Sequence, residues 1–538
     1  MSSNKILKGT AVLAIAGIVV KILGAIFKIP LNALIGTEGL AYYGYAYPLY
    51  SLFLVIATAG IPVAISRLVS EKIAVNDYVN AQKVFSVSRW LMLGIGIVSF
   101  LICFFGAEFM ANEIYKDPGA LLPIKAIAPA LIFVPVMASY RGYFQGRQNM
   151  NPTAISQFVE QVVRVAVGLV ATVLLLDMGL DAAAAGATFG ATMGAVGGLA
   201  IIALIYSLNK KAITYHLNHS TKAEIKETTG HIVKQILAIA VPITIGAAIM
   251  PIVSFADSAI VTRRLLESGF SVDVARDLWG QLSGYCTTMI GLPQVITQGI
   301  AVSMVPAIAA AFKLNNKKEL TDNMNMGMRI SMIVGMPCAI GMMALAEPIL
   351  VFVFGRDEAT IASAINAAPT LQIMCLGVFL MALLSTTNGI LQGINKQFLP
   401  VKNEAIGAVF KVAITYILVG IPALNIMGAA IGSVFTYGIA FALNMKDIIK
   451  YTHVKLDIGL VFIKPVISSV AMGACAFAAY KLLYMMIESL TLSMFGAIMV
   501  GVIVYVILIF ATKAITKEEI VLFPKGDKLV KILDKFIK

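Results

Sequence analysis

Four cations stand inside long apolar runs of this chain: Lys21, Lys28, Arg164 and Lys411. A charge at the centre of a membrane helix costs roughly 2.5 to 3.5 kcal/mol on insertion scales. Residues that carry such a cost face a bundle interior or a watery cavity rather than lipid. Glu160 and Glu404 accompany Arg164 and Lys411, whereas no acid nearby in the chain neutralises Lys21 or Lys28. A cavity with surplus positive charge suits an anion.

Each of these residues has a second reading. Lys21 and Lys28 are two helical turns apart and share a face with Gly17 and Gly24. Lys28 either faces the cavity or snorkels toward Thr37-Glu38-Gly39 at the outer end of its helix. Lys21 is too deep to snorkel in either direction. Arg164 lies one turn beyond Glu160, so the two form either an i,i+4 ion pair or part of a binding site. Lys411 lies two turns beyond Glu404, roughly 10.5 Å along the axis, which makes direct pairing harder. Asp257 either binds a coupling cation, sodium or a proton, or holds Arg263 and Arg264 a few residues on. Glu160 and Glu404 are further candidates for ion coupling. Arg67 ends the second span, as a substrate contact or as a basic flank.

Signatures of covalent chemistry are missing. The chain has no Gly-x-x-x-x-Gly-Lys-Ser/Thr loop, no HExxH and no Asp-x-Asp pair, which argues against ATP hydrolysis and metal-dependent sugar transfer. His216, His219 and His231 share a polar stretch whose spacing fits no zinc template. The five cysteines fall in apolar spans without a CxxC and read as small buried hydrophobes. No catalytic residue, cofactor or metal is expected. The chain reads as a transporter.

The elements that must position these residues are membrane helices. Hydrophobic residues make up 59% of the 538, charged residues only 13%, and mean hydropathy is +0.89; soluble domains carry about 25% charged residues. We expect an all-α polytopic protein with about 14 spans, beginning with 10–35 and 43–68 and ending with 461–484 and 492–512. With the N-terminus inside, about 30 of the 41 Lys and Arg fall on the cytoplasmic side, the positive-inside bias. Lys116, Lys125, Arg263, Arg264, Arg276, Arg356 and Lys481 fall outside. Both termini are then cytoplasmic. The net charge of +13 follows from this topology and from attraction to anionic inner-leaflet lipids, with no nucleic-acid partner. The apolar stretch after Lys5 and Lys8 runs on past Lys21 without a small-residue cleavage site, so it reads as a retained first helix.

An internal repeat organises the rest. Gly142-Tyr143-Phe144-Gln145-Gly146, followed by Pro152, returns as Gly389-Ile390-Leu391-Gln392-Gly393, followed by Pro400. Both copies precede a helix bearing an acid and a base. The offset covers six spans, an even number, so the copies form parallel lobes with substrate bound between them. The expected plan is a six-helix lobe at 1–208, a cytoplasmic linker at 209–234, a second six-helix lobe at 235–445, two added helices at 461–512 and a cytoplasmic amphipathic tail at 513–538. Gly186, Gly190, Gly194 and Gly198 recur every four residues, as close helix packing requires.

The repeated Gly-x-x-Gln-Gly motif and the first-span cations resemble the multidrug/oligosaccharidyl-lipid/polysaccharide exporter superfamily. The stretch from Lys8-Gly9-Thr10 through Gly39-x-x-x-Tyr43-Gly44-x-x-Tyr47-Pro48 is similar to its stage V sporulation protein B and MurJ-type branch. That resemblance implies a flippase in the bacterial plasma membrane, moving an undecaprenyl-pyrophosphate-linked sugar, foremost lipid II, outward by alternating access. It implies a role in peptidoglycan or spore-cortex synthesis, beside cell-wall synthesis enzymes as partners. The alternatives are another polysaccharide carrier as cargo, or cation-coupled drug export. Lys21, Lys28 and Glu38 match the charged first-span region of MurJ-type proteins. The Arg and acid that the better-studied branch carries in its eighth span have no counterpart between Tyr285 and Leu292. Asp257, Arg263 and Arg264 are the candidates to replace them.

Overall fold

The computed structural model describes residues 3–218, 227–454 and 456–514, and every regular element among them is helical. The side chains of Lys21 and His216, the residue His219 and the tail from 515 lie outside the described residues, so the amphipathic anchor expected there is not among them. In chain order the helices are α1 (Ser3–Thr58), α2 (Ile61–Ala74), α3 (Tyr78–Phe105), α4 (Ala107–Phe109), α5 (Leu121–Ile127), α6 (Ala130–Gly146), α7 (Asn151–Leu175), α8 (Leu180–Leu208), α9 (Lys210–Asn218) and α10 (Thr229–Glu267). They continue as α11 (Val272–Gly280), α12 (Thr287–Lys313), α13 (Lys317–Ala344), α14 (Ala346–Phe354), α15 (Glu358–Gly393), α16 (Phe398–Val419), α17 (Met427–Thr452), α18 (Lys464–Ile487) and α19 (Leu490–Ala511).

Twelve stretches of the described residues, rather than fourteen, are long and apolar enough to cross a membrane. Two causes account for the difference. The stretch Phe27–Ala74 runs 48 residues as one, more than twice the ~20 residues a span needs; it holds the expected span at 43–68, while most of the expected span at 10–35 lies before it, where most side chains are outside the described residues. Helix α16 carries Lys402, Glu404 and Lys411 and is not among the twelve. Within α1 the path bends at Gly36, whose φ of 60° and ψ of −166° fall in a region essentially restricted to glycine.

Backbone packing divides the chain into two compact units. The first comprises residues 1–289, 356–363 and 408–432. Its tightest seam is α7 against α8, where the four-residue glycine spacing does what the sequence suggests. A Cβ on Gly190 would lie 2.5 Å from the Arg164 carbonyl oxygen, and one on Gly194 would lie 2.6 Å from that of Glu160. The glycines thus press α8 onto the part of α7 that carries the acid and the base. A stack of buried rings centres on Tyr45, with Tyr115 at 4.7 Å and Trp279 at 6.0 Å between centroids.

The second unit comprises 290–355, 364–407 and 433–538. Its core joins Leu320, Met324, Met328 and Met332 of α13 to Leu383, Ile390 and Leu391 of α15. Helices α18 and α19 pack along each other, and the Tyr505 hydroxyl of α19 donates to the Ile333 carbonyl at 2.6 Å.

The two motif copies perform one task. Cβ atoms on Gly142 and Gly146 would lie 2.8 Å from the carbonyl oxygens of Pro62 and Ser66 in α2. One on Gly389 would lie 2.7 Å from the Ala301 carbonyl oxygen of α12, and Gly393 meets Ile308 at 2.7 Å. Each motif is a small-xxx-small surface that lets two backbones approach.

Candidate substrate site

Tyr43 and Tyr47 are one turn apart on α1 and stack with ring centroids 5.6 Å apart. Arg164 reaches them from α7. Its guanidinium donates to the Tyr43 hydroxyl at 2.8 Å and to the Tyr47 hydroxyl at 3.3 Å, and lies 4.9 Å from the Tyr47 ring centroid. A planar, delocalised cation suits such a stacked, hydroxyl-bearing floor. Lys28, earlier on α1, donates to the Ser283 carbonyl at 2.9 Å. That carbonyl belongs to a π-helical turn, Gln281–Cys286. Lys28 and Arg164 stand close enough to feel each other's charge. Both are half-buried, and among the described residues neither has an ion-paired carboxylate.

The i,i+4 pair expected between Glu160 and Arg164 does not form. Glu160 instead accepts from Arg141 of α6 at 2.8 Å, and Arg141 also donates to Ser156 at 2.8 Å. Arg164 is turned toward α1, so a different base neutralises the acid. The sequence reading missed Arg141; its one signal is its place immediately before the first motif glycine. In the second copy Asn388 holds that same place and donates to Glu404 at 2.7 Å.

Lys411 finds its acid across helices rather than along its own. Its ammonium pairs with Asp257 of α10, and both side chains are largely buried, at 12% and 15% exposure. Asp257 therefore does not hold Arg263 and Arg264. Those reach forward to Glu267 at 3.1 and 2.6 Å, the i+4 and i+3 neighbour on their own face. Arg264 also donates to the Tyr416 carbonyl at 3.0 Å. Arg67 pairs with Glu71 at 2.8 Å and is 66% exposed.

Glu38 enters a network that the sequence did not announce. Arg276 of α11 bonds Glu38 at 2.7 Å, Asp273 at 3.0 Å and Asp117 at 2.7 Å, the last only 1% exposed. Next to it, Thr37 and Gln281 both donate to Asp277. A Cβ on Gly280 would overlap the Thr37 carbonyl oxygen at 2.0 Å, so α11 lies directly on the bend of α1. Among the described residues no group of three or more His, Cys, Asp and Glu could hold a metal ion.

Comparison with known proteins agrees with this architecture. Residues 6–311 match the family described as polysaccharide biosynthesis protein, and residues 283–417 match MatE. The chain is 27% identical over 533 residues to stage V sporulation protein B of Bacillus subtilis (strain 168), covering 98% of this chain and 100% of that protein. It is 28% identical over 438 residues to the lipid II flippase MurJ of the same organism, covering 79% of each. A solved structure of lipid II flippase MurJ in an inward closed conformation has the same fold, with a TM-score of 0.65 at 17% identity, over 92% of this chain and 97% of that one. The chain belongs to the polysaccharide biosynthesis protein family, within the multidrug/oligosaccharidyl-lipid/polysaccharide exporter superfamily, and is a multi-pass membrane transporter rather than an enzyme.

Proposed function

We propose that this transporter flips an undecaprenyl-pyrophosphate-linked sugar, foremost lipid II, from the inner to the outer leaflet for peptidoglycan or spore-cortex synthesis. The observation that carries this reading is the pair Lys28 and Arg164, two half-buried cations with no ion-paired carboxylate among the described residues, Arg164 bonding the hydroxyls of Tyr43 and Tyr47 and Lys28 the Ser283 carbonyl. A pyrophosphate diester offers about two negative charges and many acceptor oxygens, and charge-assisted hydrogen bonds from Arg and Lys match it. The name of the lipid II flippase relative supports the cargo class, and that of stage V sporulation protein B supports a sporulation setting. No bond is made or broken; the site holds the head group while the helices around it rearrange.

Purified protein in proteoliposomes, offered lipid II, other undecaprenyl-pyrophosphate-linked sugars and a lipophilic cationic drug, separates the readings. Flipping of the pyrophosphate-linked lipids is the expected result. Accumulation of the drug with no movement of any polyprenyl pyrophosphate would overturn it.

A further inference from the structure

The pair Lys411–Asp257 has a use beyond holding two helices together. Asp257 is an acid in the apolar part of α10, the kind of residue that serves transporters as a site for a coupling cation. One carboxylate oxygen meets the Lys411 ammonium, while the other, Oδ1, is buried and accepts no hydrogen bond among the described residues. One turn beyond Lys411 on the same face, the Thr415 hydroxyl is fully buried and also without a hydrogen-bond partner among the described residues. Gly432 of α17 closes over this turn, since a Cβ there would lie 2.6 Å from Thr415 Oγ1 and 3.3 Å from the Lys411 carbonyl oxygen. Farther along the same two helices, Arg264 clamps α10 to α16 through the Tyr416 carbonyl, and its guanidinium lies 4.4 Å from the Tyr416 ring centroid. The two helices that carry the carboxylate and the ammonium are thus held together by packing just beyond the pair.

We infer that the Lys411 ammonium is a tethered replacement for an inorganic cation at Asp257. It supplies one positive charge to a buried carboxylate, as a sodium ion would, but it cannot dissociate. Asp257 then needs no inorganic cation from solution, and no sodium gradient can do work through it while the lysine holds its charge. The spare oxygens of Asp257 and Thr415 are of the type that hard cations prefer. Removing the lysine therefore opens a site for a small monovalent cation, because an uncompensated buried carboxylate is strongly disfavoured. The inference rests on the transporter reading but not on the identity of the lipid.

The test measures cation binding without moving a lipid. Melting of the purified full-length protein is followed in sodium, lithium, potassium and choline chloride at equal ionic strength. Wild type should melt at one temperature in all four. Lys411→Ala should melt lower in choline and recover in sodium or lithium, with a saturable dependence on concentration. Lys411→Met, which keeps the stem's volume, is the second variant should the alanine protein fail to fold. Adding Asp257→Asn to either should abolish the response to sodium. A wild type stabilised by sodium in an Asp257-dependent way would overturn the inference. So would lysine variants that melt low in every salt. Failure to flip any lipid-linked sugar would sink the proposed function and leave this result standing.

Discussion

At the scale of single residues, Lys28 and Arg164 differ from Arg141, Lys411 and Arg276 in how they are paired. Arg141 and Lys411 are each matched to one acid, and Arg276 to three. Among the described residues, Lys28 and Arg164 bond only carbonyl and hydroxyl oxygens, so their charge stays available to a ligand. Lys28→Ala and Arg164→Ala should abolish flipping while leaving insertion and melting nearly unchanged, since no buried carboxylate is orphaned. Arg164→Lys keeps the charge but cannot serve both hydroxyls with a planar fork. Loss of a charge-assisted bond worth about 1.5–3 kcal/mol predicts a flipping rate down by roughly ten- to a hundredfold. Full activity in Lys28→Ala or Arg164→Ala, read as flipping per mole of inserted protein, would remove the anion site. Lys21→Ala should behave like Lys28→Ala in a strain that depends on this protein.

At the scale of helices, two contacts set the geometry around the site. The bend at Gly36 is held by α11, through Arg276 to Glu38 and Asp117 and through the close approach of Gly280 to Thr37. Arg276→Ala leaves the carboxylate of Asp117 buried without its counter-ion, and breaking such a pair costs about 3–5 kcal/mol. The variant should melt well below wild type in detergent, and Asp117→Asn in the same chain should restore part of the loss. If the single variant melts with wild type, the network is not holding the bend. The second contact is the α7–α8 seam. A leucine at Gly190 or Gly194 would drive its side chain into the carbonyls of Arg164 or Glu160. That should displace α7, so Gly190→Leu is expected to cost flipping as severely as Arg164→Ala, but with a lowered melting temperature that Arg164→Ala does not share.

At the scale of the whole molecule, the proposed cargo and the resident charges predict an energy source. Moving one charge through 100 mV is worth roughly 2.3 kcal/mol, so outward passage of a doubly charged head from a negative interior gains up to ~4–5 kcal/mol. With Asp257 neutralised by Lys411, no cation has to move with it through that site. Flipping in proteoliposomes should accelerate when the substrate-loaded side is made negative by a potassium diffusion potential, and should continue without ATP. Equal rates at zero and reversed potential would exclude this drive. The positive-inside bias of the sequence predicts the 209–234 linker inside and Lys116 and Arg276 outside. Single cysteines labelled by an impermeant reagent in intact cells test that, and labelling at position 216 from outside would invert the topology.

Much of this was legible before any coordinates. Apolar runs and their lengths are local, so helices, membrane insertion and the out-of-place cations could be read directly. So could the repeated glycines, because close helix approach demands a missing side chain wherever it occurs. Ion pairing was not legible, since a charge chooses its partner by distance in space. Arg164 was one turn from Glu160 in sequence yet turned to α1, and Arg141 took the acid. Asp257 stood near two arginines, which Glu267 claimed, and a lysine from α16 reached it instead. Helical spacing decides which residues share a face. Only the packing of one helix on another decides which of those faces meet, and with it which charges are cancelled and which are left for a ligand.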